Sequence, residues 1–135
     1  MLLTIEKVII LKSVSIFSDI SERGLIEVAA ALEELQVEAE QTIFEKGDSG
    51  SSLYIIVEGR MKIHDRDKTI AILGAGEVFG ELAALDPEPR MASATATEPG
   101  LLLRMGHSEQ DELMAEHPEV AFGIIRVLCR RLRQH

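Results

Sequence analysis

At 135 residues, 46% hydrophobic and 4% aromatic, the chain has the length of one domain with an aliphatic core and is too apolar to be disordered. A formal net charge of −9 excludes a general nucleic-acid surface, because duplex affinity rests on lysines and arginines that neutralise phosphates. One cysteine, Cys129, excludes an internal disulfide framework and a multi-thiolate metal site.

The opening MLLTIEKVIILKS carries Glu6 and Lys7 inside its apolar stretch and lacks a small-residue cleavage site. It therefore reads as a short helix over Thr4 to Lys12 and not as a secretory signal. No run approaches the roughly 18 apolar residues that a bilayer span needs, so a cytoplasmic location without a membrane segment is expected. Ser21 to Leu32 predicts a second helix, with Ser21 as N-cap and Leu25, Val28, Ala29 and Leu32 on one face. From Glu34 the period changes to two. LQVEA, TIFEKG, LYIIVEG, RMKIHD and TIAILGAG are short β-rich segments separated by the turn material KGDSGSS, EGR and DRDK. Strands over Arg90 to Thr97 and Leu101 to Met105 complete the set. After Gly106 the helical period returns, over Ser108 to Glu116 and then from Pro118 onward. The last helix has the apolar stripe Val120, Ile124, Val127, Leu128 and Leu132. Four arginines from Arg126 onward offset the negative end of its dipole. Cys129, among apolar helix residues, is expected to be a buried structural thiol.

About eight short strands joined by tight turns predict a small barrel or jelly roll flanked by helices. The fold class is thus α+β, mainly β: an eight-stranded antiparallel β-roll with N-terminal helices and a C-terminal helix pair. One domain is expected over residues 1–135, with helices in 1–33, the β-roll in 34–105 and helices in 107–135. No internal repeat or linker divides it.

Several motifs resemble chemistry without its partners. GDSG, Gly47 to Gly50, matches the surroundings of a protease nucleophile, yet no histidine precedes Ser49, so a turn is the better reading. GAGEVFG, Gly74 to Gly80, is one residue too long for a dinucleotide fingerprint and no βαβ unit surrounds it. His64, His107, His117 and His135 lack metal-ligand spacing. His64 is expected in a solvated hairpin, and neither a metal nor a catalytic group is predicted.

The stretch FGELAALDPEPRMASATA, Phe79 to Ala96, says more. Taken singly, Glu81 suits a first helical turn and Arg90 a weak surface ion pair with Asp86 or Glu88. Together they describe something narrower. ELAAL is a helix of barely two turns whose first N–H groups lack intrahelical partners and favour an anion. Gly80 leaves room for a ligand to approach the backbone, and the Glu81 carboxylate suits a sugar hydroxyl. Pro87 and Pro89 stop the helix, and Arg90 arrives at the next strand able to meet the same anion with its fork. Ala92, Ser93 and Ala94 keep the place open. The ligand implied carries one phosphate and a free ribose hydroxyl.

These residues resemble the phosphate-binding cassette, here 79–93, of cyclic nucleotide-binding domains, the β-roll modules of bacterial catabolite activators and of cyclic-AMP-dependent protein kinase regulatory subunits. TIFEKGDSGSSLYIIVEGRMKI is similar to the family's first strands, so the likeness covers nearly the whole chain. The resemblance implies a non-catalytic regulatory domain that binds a 3′,5′-cyclic nucleotide. It implies that Glu81 accepts from the ribose 2′-hydroxyl and that Arg90 binds an exocyclic phosphate oxygen. Backbone N–H groups near Leu82, Ala83 and Met91 would complete the cradle. Phe79 and Gly80 would set the loop, Ala92 would lie beside the ligand, and Ile63 would pack on the base.

Two departures refine the expectation. Met91 stands where cyclic-GMP-selective relatives carry Thr and some activators carry Ser, and it can make neither hydroxyl contact, so cyclic AMP is expected over cyclic GMP. The chain also ends at His135, where the activators continue into a DNA-reading segment. Direct DNA binding is therefore not expected, and the output is expected through an unknown effector domain or protein. Phosphate capture would pull the cassette helix inward and reposition the last helix as a lid. Leu128 and Leu132 are the packing candidates and Arg131 a partner for Glu81. The alternatives are a β-roll interaction domain that has lost nucleotide binding and a jelly-roll enzyme.

Overall fold

The computed structural model describes residues 1–80 and 89–133, with residue 131 described by its backbone alone. The chain forms two compact units, Glu33–His107 and Met1–Leu32 together with the residues from Ser108 onward.

The first unit is built of strands. Among the described residues there are eight: β1 (Glu33–Val37), β2 (Thr42–Phe44), β3 (Leu53–Glu58), β4 (Met61–Asp65), β5 (Lys68–Leu73), β6 (Val78–Phe79), β7 (Ser93–Ala96) and β8 (Gly100–Met105). They pair antiparallel in two four-stranded sheets, ordered β1-β8-β3-β6 and β2-β7-β4-β5. Period-two alternation sends one side of each sheet inward. Val37, Tyr54, Ile56, Phe79 and Leu102 come from the first sheet, Met61, Ala94 and Ala96 from the second, and together they form the core. Leu53, Ile55, Leu103 and Met105, on the other face of β3 and β8, are equally buried. The expected antiparallel β-roll is therefore present.

The strand ends differ from the sequence reading for local reasons. TIFEKG stops pairing at Phe44 because Glu45 to Asp48 closes a turn. There the Asp48 N–H donates to the Glu45 carbonyl at 3.0 Å, and the Glu45 N–H donates to Asp48 Oδ2 at 2.9 Å. The strand expected from Arg90 begins at Ser93, since the Arg90 backbone is bonded to that turn instead. β6, two residues long, pairs with Tyr54 and Ile55 and supplies a strand that periodicity cannot register. The short helix expected over residues 81–85 lies outside the described residues.

The second unit holds α1 (Thr4–Lys12), a 3-10 turn (Ser15–Phe17), α2 (Glu22–Ala30) and α4 (Pro118–Arg133), with α3 (His107–Glu116) leading into it. Ser21 caps α2, its hydroxyl accepting from the Gly24 N–H at 3.2 Å. Leu25, Val28, Ala29 and Leu32 are buried as the period requires. Asp19 pairs with Arg130, and His117 lies 3.8 Å from Glu27 and 3.4 Å from Glu119. The stripe on α4 is narrower than expected. Val120, Ile124 and Val127 are buried, Leu128 is half-buried, and Leu132 is 75% exposed. Cys129 is exposed, which corrects the buried thiol: it lies two residues past Val127, about 200° around the helix and so away from the buried stripe.

Candidate functional site

The strongest concentration of unusual chemistry surrounds Arg90. Its backbone is clamped first. The Gly47 N–H donates to the Arg90 carbonyl at 2.8 Å, the Arg90 N–H donates to the Asp48 carbonyl at 2.9 Å, and the Lys46 N–H donates to Ser93 Oγ at 2.9 Å. Gly47 makes the turn possible with a φ of +91°. The GDSG stretch thus acts as a turn, as its composition suggested, and its task is to hold Arg90.

The side chain then points inward. Arg90 is only 6% exposed. Its Nη2 donates to the Ser52 carbonyl at 2.9 Å and its Nη1 to the Gly80 carbonyl at 3.3 Å. Its Cζ lies 4.1 Å from the centroid of the Phe44 ring, over the ring face. Among the described residues the buried Nε–H has no hydrogen-bond partner, and none of the ion pairs involves Arg90. Burial pulls the guanidinium below its ordinary pKa, while the fields of Tyr54 and Asp48 push it back up. Asp86 and Glu88, the partners of the surface ion pair open to Arg90 in the sequence, lie outside the described residues. Burying a cation is costly unless it is compensated. Among the described residues its direct contacts are neutral groups, namely two carbonyls and a ring face, with Asp48 acting on it only through its field.

Glycines make room for this arrangement. Gly80 adopts a φ of +79°, and a Cβ there would stand 2.8 Å from Arg90 Nη1 and 2.8 Å from the Ser52 oxygen. A Cβ on Gly50 would lie 3.2 Å from Arg90 Nε. The space that the missing Cβ of Gly80 leaves is filled by Arg90 Nη1 and the Ser52 carbonyl.

The other expected residues divide into groups. Phe79 lies in the core, with half-buried Ile63 packed against the same cluster. Ala92 is half-buried and Met91 is 83% exposed. Glu81, Leu82 and Ala83 lie outside the described residues, as does the side chain of Arg131. Leu128 and Leu132 sit on α4 in the helical unit. His64 is half-buried at the start of an exposed hairpin turn, with its Nδ1 2.7 Å from the Arg66 carbonyl and its Nε2 2.8 Å from Thr95 Oγ1. Among the described residues no group of three or more His, Cys, Asp or Glu side chains is placed to hold a metal ion, and no helix is long and apolar enough to cross a membrane.

The sequence model of the family described as Cyclic nucleotide-binding domain matches residues 34–117. The chain belongs to the cyclic nucleotide-binding domain family.

Regulators are among its relatives. The chain is 32% identical over 130 residues to the CRP-like cAMP-activated global transcriptional regulator of Mycobacterium tuberculosis, an alignment covering 93% of this chain and 58% of that one. The chain thus spans little more than half the length of that curated relative. Its structure is similar to the N-terminal domain of a transcriptional regulator from Streptomyces coelicolor A3(2), with a TM-score of 0.83 and 32% identity over 93% of this chain and 91% of that one. It is also similar to the regulatory domain of Toxoplasma gondii PKA in co-crystal with cAMP, with a TM-score of 0.76 and 28% identity over 82% of this chain and 44% of that one.

Sequence reasoning missed four residues at this site: Phe44, Gly50, Ser52 and Tyr54. One signal could have found the rings. The chain has only five aromatic residues, and three of them meet here. Phe44 lies 6.0 Å from Tyr54 and 5.9 Å from Phe79, and Tyr54 stacks on Phe79 at 5.0 Å and 10°. Where aromatics are scarce, such a cluster beside a buried cation is distinctive. Ser52 contributes only its carbonyl, which no side-chain pattern reveals.

Proposed function

We propose that the chain is a single non-catalytic regulatory domain, residues 1–135, that binds a 3′,5′-cyclic nucleotide, with cyclic AMP favoured over cyclic GMP. The observation that carries this reading is the buried Arg90 guanidinium, in no ion pair with a described carboxylate and with an N–H that has no partner among the described residues. A site of this kind is built to receive an anion from outside, and a cyclic phosphate offers acceptors that match the guanidinium fork.

Arg90 binds an exocyclic phosphate oxygen in this reading, Glu81 accepts from the ribose hydroxyl, and N–H groups near Leu82, Ala83 and Met91 complete the cradle. Phe79 and Gly80 set the loop, Ala92 lies beside the ligand, and Ile63 packs on the base. The preference for cyclic AMP is supported by Met91, which carries no hydroxyl for a guanine, and by the relatives whose names carry cyclic AMP. Binding shifts the population of the C-terminal helix, with Leu128, Arg131 and Leu132 on its moving face, to the extent that the ligand prefers one state. The output passes to an effector domain or protein in the cytoplasm. The net charge of −9 argues against direct DNA contact.

Isothermal titration of ligand-stripped protein with cyclic AMP and then cyclic GMP tests the reading. Saturable binding is expected with both, tighter for cyclic AMP, and Arg90→Ala is expected to weaken it by about a hundredfold or more, as for loss of one partner of a buried charge pair. Normal binding by Arg90→Ala would overturn the role of that residue, and tighter cyclic GMP binding would overturn the preference. No heat with either nucleotide would favour an interaction domain that has lost its ligand.

A further inference from the structure

A carboxylate beside a buried arginine would cancel its charge and occupy the in-plane N–H donors that an incoming anion needs. An aromatic face does neither. It attracts the cation through its quadrupole, carries no formal charge and offers no carboxylate acceptor to the N–H groups. Phe44 is placed for this. Its ring face lies 4.1 Å from Arg90 Cζ, which is direct contact, and the ring is itself wedged against Tyr54 and Phe79. Phe44 ends β2, immediately before the turn whose Gly47 and Asp48 hold the Arg90 backbone. One strand end therefore fixes both the main chain and the head group of the arginine.

We propose that Phe44 is a positioning residue for anion capture at Arg90, holding the buried guanidinium in place without an ion pair and without an acceptor for its Nε–H. The proposal rests on the reading of Arg90 as the anion-binding group. In it, the ring does the work usually done by a structural carboxylate without competing with the ligand. The two carbonyls, of Ser52 and Gly80, anchor the two Nη atoms, and the ring face holds Cζ.

The test compares Phe44→Leu, which keeps an apolar side chain but removes the quadrupole, with Phe44→Tyr, which keeps the ring. Cyclic AMP is titrated into each, and the Arg90 Nε–H resonance is followed by NMR in ligand-free protein. Phe44→Leu is expected to lose about tenfold in affinity, the scale of a desolvated cation–π contact, and Phe44→Tyr to restore it. The Nε–H resonance of the parent protein is expected to be displaced by the ring current and to return to an ordinary arginine position in Phe44→Leu. Unchanged affinity in Phe44→Leu, or a loss that Phe44→Tyr shares fully, would overturn the positioning role. A parent Nε–H signal at the ordinary position would overturn it even if Phe44→Leu fails to fold. A parent protein that binds no cyclic nucleotide, yet whose Nε–H signal moves with Phe44→Leu, would sink the cyclic-nucleotide reading and leave the ring's hold on Arg90 standing.

Discussion

Gly80 and Arg90 share one space: the position where a Cβ on Gly80 would stand is 2.8 Å from Nη1 of Arg90. The glycine lies at the end of β6 with a φ of +79°, and its carbonyl accepts from the same Nη1 at 3.3 Å. The residue that lets the arginine in also bonds to it.

Gly80→Ala is therefore expected to act twice. The positive φ and the clash should destabilise the fold by about 1–3 kcal/mol, read from denaturant unfolding. The displaced guanidinium should lower cyclic nucleotide affinity beyond what stability explains. Native-like affinity in folded Gly80→Ala would show that Arg90 does not need its observed position.

The second prediction concerns pH. Asp65 is held below its ordinary pKa chiefly by the hydrogen bond from Lys46 Nζ at 2.9 Å, with burial acting the other way. Because the folded pKa is depressed, the contribution is complete above the unfolded value and is lost as pH falls through the folded one. Lys46→Met should raise the Asp65 pKa toward its ordinary value, as followed by carboxylate NMR titration. It should leave the turn intact, since only the Lys46 backbone N–H bonds Ser93.

In the helical unit, Ile20 is the neighbour of two glycines. A Cβ on Gly24 would stand 2.6 Å from Ile20 Cγ2, and one on Gly123 2.9 Å from Ile20 Cγ1. Gly24→Ala should cost about 1–3 kcal/mol by overpacking, despite the better helix propensity of alanine. In an Ile20→Ala background that cost should shrink or reverse. Additive effects in the double-mutant cycle would refute the clash.

Cys129 is exposed on α4. Folded protein should react fully with a thiol reagent, without the lag that opening of the structure would impose. A thiol that reacts only after denaturant is added would restore the buried assignment.

Much of this protein was legible in its sequence, because strands, turns and helices are written in local periodicity. Alternation gave β3, β4 and β8 to within a residue or two, Ser21 announced α2, and Pro118 announced α4. The run from Phe79 to Arg90 identified the family, since glycine, carboxylate, prolines and arginine at that spacing form a chemically specific set. Local pattern failed where pairing partners are distant. β6 exists only because Tyr54 and Ile55 are there to pair with it, and the outward turn of Leu132 and Cys129 depends on what α4 packs against. At the site, the sequence by itself determined that an arginine follows a turn-and-proline return. Tertiary structure alone decided that this arginine is buried, that Phe44 lies under it, and that the Ser52 carbonyl meets it from 38 residues away. Periodicity reports which face a residue takes along its own element. Burial of a charge and the neutral groups that compensate it are set by strands that the chain brings together only on folding.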